Sequence, residues 1–563
     1  MAALLFGEYA PDNSDLNRKY TNSVLNVVPR ADGYGPFQDI SALTAALPGQ
    51  CRGHFYARKG DGSIAVFAGT ATDLYMLDNT LLTWTLVSKG SSSYSTLSTA
   101  AQWQFEQFND FVLATQANAA LQVYDLTSSS EFDDVTGSPP QAAYIAIVNR
   151  FVVLSGLLSQ PYRIQWSGLN DITGWTSGVN SSDFQDLPDG GVAKGVAGGE
   201  LGFIFQDQSI RRMLFAPGSD VIFQIDRVAK DIGLLAPYSL VTSGNYILFL
   251  SAKGFMKLGI DGSLAPIGNE RVDRTFFADF DSGSPQYMIG ASSPETSRVI
   301  WSYRSTSFNG AAGFNKLLFY DLNLDRWSPI QVQGEFISTL ARPGLTIEGL
   351  DAIAPGSQTI TGAADNGSGL IRLTVGSTSG WSTGNVKAIS GVVGTTEADG
   401  NWTVTVIDGT HIDLQGSAFS NAYVSGGIVG GSLDSLPFSL DDFSDSTLPK
   451  LAVVNSDHKL GFFSGPNLEA TLQTAEQTAV QQRMFVRGFW PLTDAPALFG
   501  STAVRESLQA SPVFRPEQPI DVRGFVPQRA STRHARPQVR IPSGTVWTYI
   551  SGIDPDVVQE GKR

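Results

Sequence analysis

The stretch LFYDLNLDRWS, residues 318–328, contains the pattern on which the fold prediction rests. Apolar and aromatic residues at 318–320 predict a strand, and Trp327 belongs to a second strand after a short turn. The carboxylate of Asp321 is suited to accept hydrogen bonds from the turn amides, and the Trp to fill a gap between neighbouring sheets. The same order occurs at 74–84, where LYMLD precedes the strand that contains Trp84. This recurrence predicts a chain built from similar antiparallel units.

Groups of short strands recur at a spacing of roughly 40–45 residues, which is the length of one four-stranded propeller blade. The six units that we distinguish span about 54–89, 102–136, 142–178, 193–230, 238–275 and 287–332. The motif Y-D-L-x-x-x-R-W in the sixth unit resembles kelch-like blades. Ordinary hairpins in a β-sandwich are the alternative, but six units at constant spacing exceed what one sandwich needs. We therefore predict an all-β fold with a six- or seven-bladed β-propeller, an inserted small β-barrel module and a β-rich C-terminal region.

Shifts in composition divide the chain further. Residues 1–50 form an N-terminal arm in which the strand 23–28 closes the ring, and 51–345 form the blades. The Thr-, Gly- and Ser-rich segment 346–432 is an inserted barrel. The chain then returns to the last blade and a connector over 433–482, and 483–563 is an Arg-rich docking region. Within the connector, LEATLQTAEQTAVQQR at 468–483 lacks Gly and Pro and is the clearest helical candidate, with a polar connecting segment as the alternative.

Composition excludes several classes of protein. The 563 residues are 42% hydrophobic and 16% charged, which is enough apolar material for a buried core. The single cysteine, Cys51, rules out an intrachain disulfide and a Cys-based zinc site within one chain, and we expect it to be a small buried hydrophobe. No run reaches the ~18 apolar residues of a membrane span, and the N-terminus lacks the basic start of a signal peptide. We expect a protein without a membrane anchor, made in the cytoplasm.

The charge is unevenly distributed. Residues 1–482 carry a net charge of −19 and residues 483–563 carry +4, which together give the −15 of the chain. Arginine dominates the C-terminal cations, and its planar guanidinium suits interfaces. One interpretation is docking on an acidic neighbour or a polyanion, and the other is a solvated face that balances the acidic body. The interface candidates are Arg523, Arg529, Arg533, Arg536 and Arg540.

No catalytic or metal-binding motif is present in the sequence. The four His are isolated from one another and from Cys51, so metal-ligand spacings fail. A propeller hydrolase of the sialidase kind would need an arginine cluster, for which Arg211, Arg212, Arg271 and Arg274 are available. Two loops, 186–191 and 441–445, concentrate carboxylates but lack a calcium-binding pattern. We predict no enzyme activity and no cofactor.

Several segments resemble propeller proteins from the tails of short-tailed phages. In PYRIQWSGLNDITGW at 161–175, a strand that contains Trp166 is followed by a loop that reaches Trp175. GFIFQDQSIRR at 202–212 is similar to the matching strand–turn–strand. The segments ISGV, GNWTV and IDLQG between 389 and 416 are similar to a small β-module of phage tail proteins, and VRIPSGTVW at 539–547 to the ending of such chains. With Trp84 and Trp327, Trp166 and Trp175 are structural or interface candidates.

The resemblance implies a tail nozzle, tail hub or packaged-DNA stabilisation protein of the virion, with no catalytic residues. Such a protein forms a homohexameric ring below the portal and the head-to-tail adaptor, and contacts the tail fibre or tailspike. It continues the channel for double-stranded DNA, which it does not bind sequence-specifically, and helps to retain and release the genome. An acidic channel wall would let the DNA slide. The alternative is a glycan- or receptor-binding propeller component of the tail, with clustered aromatic side chains on one face.

Overall fold

A computed structural model describes residues 3–79, 81–218, 221–294, 296–310, 312–341, 358–379, 381–431, 449–479 and 482–560. This part of the chain is almost entirely β-structure, and its one α-helix is Asp273–Asp279. None of its helices is long and apolar enough to cross a membrane.

Seven four-stranded antiparallel sheets occur in the described part of the chain, and they are the blades of a β-propeller. Each of the six units predicted from the sequence corresponds to one sheet. The strands of blades 1 to 3 are His54–Arg58, Ile64–Gly69, Leu74–Asp78, Thr83–Leu86; Gln104–Phe108, Phe111–Thr115, Gln122–Asp125, Asp133–Asp134; and Ala142–Val148, Phe151–Leu157, Arg163–Trp166, Asp183–Asp186. The strands of blades 4 to 6 are Ala193–Ala197, Gly202–Gln206, Ser209–Phe215, Phe223–Lys230; Val241–Ser243, Tyr246–Ser251, Gly254–Gly259, Leu264–Pro266; and Ile289–Ser293, Arg298–Tyr303, Lys316–Asp321, Arg326–Ile330.

Blade 7 combines strands from distant parts of the chain. Its strands, in spatial order, are Phe336–Leu340, Lys450–Val454, Lys459–Phe462 and Ser41–Ala46. Its first strand contacts the first strand of blade 1, so the ring is closed. The structure therefore resolves the choice between six and seven blades in favour of seven.

The prediction that strand 23–28 closes the ring is wrong. Asn26 has a φ of 58°, a left-handed conformation that interrupts an extended strand. The two pieces on either side of it, Val24–Leu25 and Val27–Arg30, pair in different sheets. The closing strand is Ser41–Ala46, which pairs with Lys459–Phe462.

Two larger sheets, built from both ends of the chain, pack face to face, and we call them the two-sheet unit. The six-stranded sheet has the order Val526–Thr532, Met484–Thr493, Ile550–Gln559, Gly33–Pro36, Val27–Arg30, with Leu4–Leu5 also paired to Ile550–Gln559. The seven-stranded sheet has the order Val24–Leu25, Ala470–Gln473, His534–Ile541, Phe499–Arg505, Val513–Phe514, with Gln477–Thr478 and Gln518–Pro519 paired to its central strands. Glu8–Tyr9 and Tyr20–Thr21 form a separate parallel pair.

The predicted helix at 468–483 is also wrong, since Ala470–Gln473 and Gln477–Thr478 are strands. Ala470 and Leu472 are fully buried, and both pair with His534–Ile541. Burial at every second residue is the period of a strand. The contacts with this distant strand override the helical propensity of the segment.

The inserted module is a closed six-stranded barrel. Its strands are Gln358–Asp365, Ile371–Val375, Val386–Val393, Gly400–Val406, His411–Leu414 and Ser425–Gly431. Its own core includes Ile371, Leu373, Val404 and Val429, all nearly inaccessible to solvent.

One core runs from the propeller into the two-sheet unit. Phe255, Trp301 and Trp327 of blades 5 and 6 belong to the same buried cluster as Tyr34 and Phe489 of the two-sheet unit. The N-terminal arm strengthens this junction, because the carboxylate of Asp12 accepts hydrogen bonds from the first amides of the helix Asp273–Asp279. Cys51 is fully buried, as expected, and burial raises the pKa of its thiol.

Candidate functional site

The first strands of the seven blades surround an axial cavity of about 500 Å³. Every blade contributes to its wall, from His54 of blade 1 to Ser338 of blade 7. The wall combines aromatic side chains with hydroxyl, amide and carboxyl groups. Its volume lies in the range of about 300–1,000 Å³ that is usual for small-molecule sites. The cavity is therefore the candidate binding site of the propeller, and it is of small-molecule size.

Glu106 is the acidic side chain of this cavity. It is half-buried on the first strand of blade 2, and it makes no hydrogen bond or ion pair with another described residue. Burial alone raises the pKa of Glu106 to about 7, because an ionised carboxylate without a partner is poorly solvated there. The cavity thus contains an acid that titrates near neutral pH.

His54 and Ser338 form a hydrogen bond across the junction of blades 1 and 7, with 2.7 Å between Nδ1 and Oγ. Burial lowers the pKa of His54 to about 3, so the imidazole is neutral at pH 7. Its Nε2 is buried and has no hydrogen-bond partner in the described structure. A Ser–His pair needs a third group that orients the imidazole before it can activate the hydroxyl. No described residue forms a hydrogen bond with Nε2 of His54, so the structure shows this pair without a third, orienting group.

The four predicted tryptophans all lie within or between blades. Trp327 is fully buried, donates from Nε1 to the carbonyl of Ile267 at 3.1 Å, and packs against Phe255 of blade 5. Its motif partner Asp321 accepts hydrogen bonds from the turn amides of Asn323 and Leu324, which is the arrangement that the motif predicts. The Trp327 ring therefore fills the space between blades 5 and 6.

The other three tryptophans occupy comparable places. Trp84 is partly exposed and donates from Nε1 to the carbonyl of Ala45, on the closing strand of blade 7. Trp166 packs edge-on against Phe223 of blade 4, with 5.1 Å between ring centroids. Trp175 is buried in a cluster that joins blades 2 and 3. All four are therefore engaged in blade packing.

Three of the five predicted arginines form ion pairs inside the chain. Arg540 contacts Glu517 at 2.6 Å and Glu469 at 2.9 Å. Arg536 contacts Asp15 of the N-terminal arm at 3.2 Å. The exposed Arg523 pairs with Asp521 in its own turn at 3.1 Å. Arg529 and Arg533 are exposed and have no ion-pair partner among the described residues.

The six-stranded sheet carries an exposed surface that we did not identify from the sequence. Its outer face, as we call it, consists of Arg487, Trp490, Phe525, Arg529 and Val558. The rings of Trp490 and Phe525 lie 4.6 Å apart, and Trp490 is 40% exposed. Regular alternation would place Arg487 and Trp490 on opposite faces, and only the register shift between Val486 and Gly488 allows both to be exposed, so the sequence pattern does not indicate this face. The neighbouring Pro491 made the strand hard to recognise.

Exposed apolar side chains are concentrated in this C-terminal part of the chain. Those between residues 482 and 560 are Trp490, Leu508, Val513, Phe514, Val522, Val546, Tyr549 and Val558. A cluster of exposed apolar residues in a folded protein is typical of an interaction surface.

The hydrolase and calcium-site alternatives both require clusters of charged side chains, and the described residues do not support either. Arg211 pairs with Asp189 and Arg271 with Asp325, so the cations proposed for a hydrolase are distributed over different ion pairs. The carboxylate of Asp186 pairs with Arg163. No group of three or more metal-binding side chains occurs in the described ranges. The second carboxylate loop, 441–445, lies outside the described residues.

Comparisons with known proteins yield distant structural similarity only. No protein-family model matches the chain, and no curated protein matches it. An extracellular domain of a hybrid two-component system from B. thetaiotaomicron is 7% identical, with a TM-score of 0.36, covering 62% of this chain and 45% of that chain. A chain of the mitotic checkpoint complex is 9% identical, with a TM-score of 0.34, covering 55% and 87%. The dihydro-heme d1 dehydrogenase NirN is 13% identical, with a TM-score of 0.30, covering 69% and 75%.

Proposed function

We propose that this chain is a structural protein of the virion, the tail nozzle or hub of a short-tailed phage. In this proposal it assembles as a homohexameric ring below the portal and adaptor, contacts the tail fibre or tailspike, and continues the channel through which the genome is retained and released. The phage assignment rests on the sequence resemblance. The proposal that the chain assembles rests on its surface.

The observation that carries the assembly proposal is the outer face of the two-sheet unit. It combines the contacting rings of Trp490, which is 40% exposed, and Phe525, which is partly buried, with Arg487 and Arg529, which have no ion-pair partner among the described residues. Aromatic and arginine side chains are the residue types that dominate interface energetics. A single copy of the chain thus presents on this face a set of side chains with the composition of an interface core.

Charge complementarity favours a second copy of the chain as the partner. Arg487 and Arg529 of the outer face have no ion-pair partner among the described residues, while residues 1–482 carry a net charge of −19. A basic face on one copy and an acidic body on the next give a heterologous contact, and repetition of such a contact closes a ring when the rotation permits it. Electrostatic attraction would also speed the encounter of the copies.

The dimensions of the axial cavity bear on the path of DNA. The cavity measures about 500 Å³ and is bordered by side chains of all seven blades. A duplex whose major groove alone is about 12 Å wide does not fit into a space of that volume. DNA would therefore pass between the subunits of a ring, along a wall formed by their acidic bodies, and not through a propeller.

Assembly can be tested with the full chain by measuring its mass by light scattering and imaging it in negative stain, alone and mixed with the portal–adaptor complex. We expect a six-fold ring with a central opening, either alone or on the adaptor. A monomer that ignores the adaptor would refute the proposal.

A pair of matched variants tests the role of the outer face. Trp490→Asp places a charge at the centre of this face, and Tyr246→Asp does so at an aromatic residue of blade 5 that is equally exposed, at 41% against 40%. We expect the first variant to remain folded and fail to assemble, and the second to assemble. Rings formed by Trp490→Asp as readily as by the wild type would exclude this face.

The glycan-binding alternative would need aromatic side chains grouped on one face of the propeller. Trp84, Trp166, Trp175 and Trp327 are engaged between or within blades instead. A sugar array probed with the full chain separates the two functions. Specific retention of one glycan class would favour the alternative, and its absence alongside ring formation would favour the nozzle.

A further inference from the structure

The axial cavity of the propeller contains an unusual distribution of charge. Glu106 lines it without an ion pair or a hydrogen bond from any described residue. No lysine or arginine is among the residues that line it. A carboxylate taken out of water and left without a counter-charge is costly unless something compensates it.

The other titratable groups around the cavity cannot supply that compensation. They are His54, Tyr56, Tyr144 and Tyr238, from blades 1 and 3 and from the turn before blade 5. His54 is neutral because burial lowers its pKa to about 3. Burial raises the pKa of Tyr238 to about 12 and raises that of Tyr144 further, so both stay neutral. Among the described residues that line the cavity, none therefore offers Glu106 a positive charge, and a bound cation would supply one.

Aromatic rings line the same cavity as this carboxyl group. Phe55, Tyr56, Tyr144 and Phe336 all line the cavity. The ring of Phe55 lies 6.0 Å from that of Phe105 and 6.3 Å from that of Tyr56, so these aromatic residues are grouped on neighbouring inner strands. The face of an aromatic ring is electronegative and attracts a cation within about 6 Å of its centroid. Aromatic faces with one carboxylate are the recognition chemistry of an organic ammonium ion.

We propose that the axial cavity binds a small organic ammonium ion, with Glu106 as its counter-charge and the rings of Phe55, Tyr56, Tyr144 and Phe336 around its alkyl groups. The volume of about 500 Å³ admits such a ligand with bound water. Anions are disfavoured, because the cavity offers them no cationic side chain. This site is separate from the outer face and does not depend on assembly.

Binding should depend on pH in a defined direction. The pKa of Glu106 in the free protein is raised to about 7, and the ammonium ion binds the ionised carboxylate. Below pH 7 the ligand must displace a proton, so its affinity falls, approaching tenfold per pH unit; above pH 7 it levels off. His54, with its pKa near 3, and Tyr144 and Tyr238, whose pKa values are raised by burial, do not titrate between pH 6 and 8.

The probe is choline, titrated into the full chain by calorimetry at constant ionic strength, and its control is the neutral isostere 3,3-dimethyl-1-butanol. We expect saturable choline binding with a Kd of at most millimolar order, and binding of the isostere at least tenfold weaker. Equal binding of the two compounds, or no choline binding at that concentration, would overturn the proposal.

Two variants locate the site. Glu106→Gln keeps the shape of the side chain and removes its charge, and Glu131→Gln makes the same change at an exposed position outside the cavity. We expect the first to weaken choline binding at least tenfold and to abolish its dependence on pH, and the second to leave both unchanged. Unaltered binding by Glu106→Gln would refute the site. If that variant does not fold, the pH profile of the wild type decides: a flat profile between pH 6 and 8 refutes the proposal.

Discussion

Single charged residues have very different surroundings in the two-sheet unit. Glu476 and Arg505 form an ion pair in which both side chains are almost fully buried. Arg523 pairs with Asp521, but its own side chain is 79% exposed. Removing one partner of a buried pair leaves an uncompensated charge, whereas an exposed pair contributes little because water solvates both groups. Similar pairs in the sequence therefore differ in their effect on stability.

We expect Glu476→Ala to lower the free energy of unfolding by about 3–5 kcal/mol, since Arg505 would be left buried without its partner. Arg523→Ala should change it by no more than about 0.5 kcal/mol. Urea denaturation followed by circular dichroism measures both. Similar losses in the two variants would contradict this ranking.

Asp273 gives a second prediction at this scale. Burial, with a further contribution from nearby Asp12, raises the pKa of Asp273 from 3.8 to about 6. The folded protein therefore holds this proton more tightly than the unfolded chain. Its contribution to stability is complete below pH 3.8 and is lost as the pH rises through 6.

Asp273→Asn should remove that pH-dependent loss. Relative to the wild type, the variant should gain stability between pH 4 and pH 7, by up to about 3 kcal/mol. Thermal unfolding at the two pH values measures the difference, with Glu131→Gln as the control for an exposed acid. A constant offset between Asp273→Asn and the wild type across this range would show that Asp273 does not titrate as stated.

The blades are held together by aromatic side chains that enter neighbouring blades. Trp327 is fully buried between blades 5 and 6, where Trp301 and Phe255 stack around it. Trp84 performs the same task at the junction of blades 1 and 7 but remains partly exposed. The free energy lost on truncation follows the buried contact area and the cavity left behind.

We therefore predict that Trp327→Ala destabilises the protein by about 3–5 kcal/mol and Trp84→Ala by at most about 2 kcal/mol. Circular dichroism during urea denaturation is the measurement, because it does not depend on tryptophan fluorescence. Equal effects would mean that the closing junction is as tightly packed as the interior ones.

The sequence predicts correctly those turns and strands whose structure depends on local patterns. The Asp turn and the strand of Trp327 are visible in 318–328, and all six predicted units are blades. The segment 468–483 was misread because its strand period is set by a partner near residue 540. The sequence does not reveal the break in the predicted strand 23–28. Asparagine can adopt either an extended or a left-handed conformation, and only the φ of 58° at Asn26 decides between them.

In the whole molecule, the barrel is inserted between the first two strands of blade 7, Phe336–Leu340 and Lys450–Val454. Leu340 is paired with Lys450 at the ends of the two strands that enclose the insertion. These strands are therefore positioned as a hairpin without any contribution from the barrel. The barrel has its own closed sheet and its own buried cluster.

Replacing residues 341–449 by Asn-Gly should leave the propeller folded, because this dipeptide favours the two-residue turn that would join Leu340 directly to its partner Lys450. We expect an unchanged melting temperature for the remaining chain, and cooperative unfolding of the isolated barrel 358–431. Calorimetry of both proteins tests this. An unfolded or aggregated deletion variant would mean that the barrel is needed to close blade 7.

The candidate sites could not be predicted from the sequence, because each of them depends on contacts between distant parts of the chain. The cavity requires one strand from each of seven blades, and His54 meets Ser338 across 284 positions. The outer face requires Trp490 and Phe525 to be neighbours in a sheet. The arginine candidates were chosen by composition, and composition does not reveal which of them are neutralised by Asp15, Glu469 or Glu517.

The pairing of the first described strand with the last has a consequence for folding during synthesis. Leu4 is synthesised well before its partner Ile553, which lies 549 positions later in the chain. At about 5–20 residues per second, the first strand waits on the order of half a minute to two minutes for that partner. During this time it is an open sheet edge on a nascent chain. Translation speed therefore sets how long this edge stays unpaired.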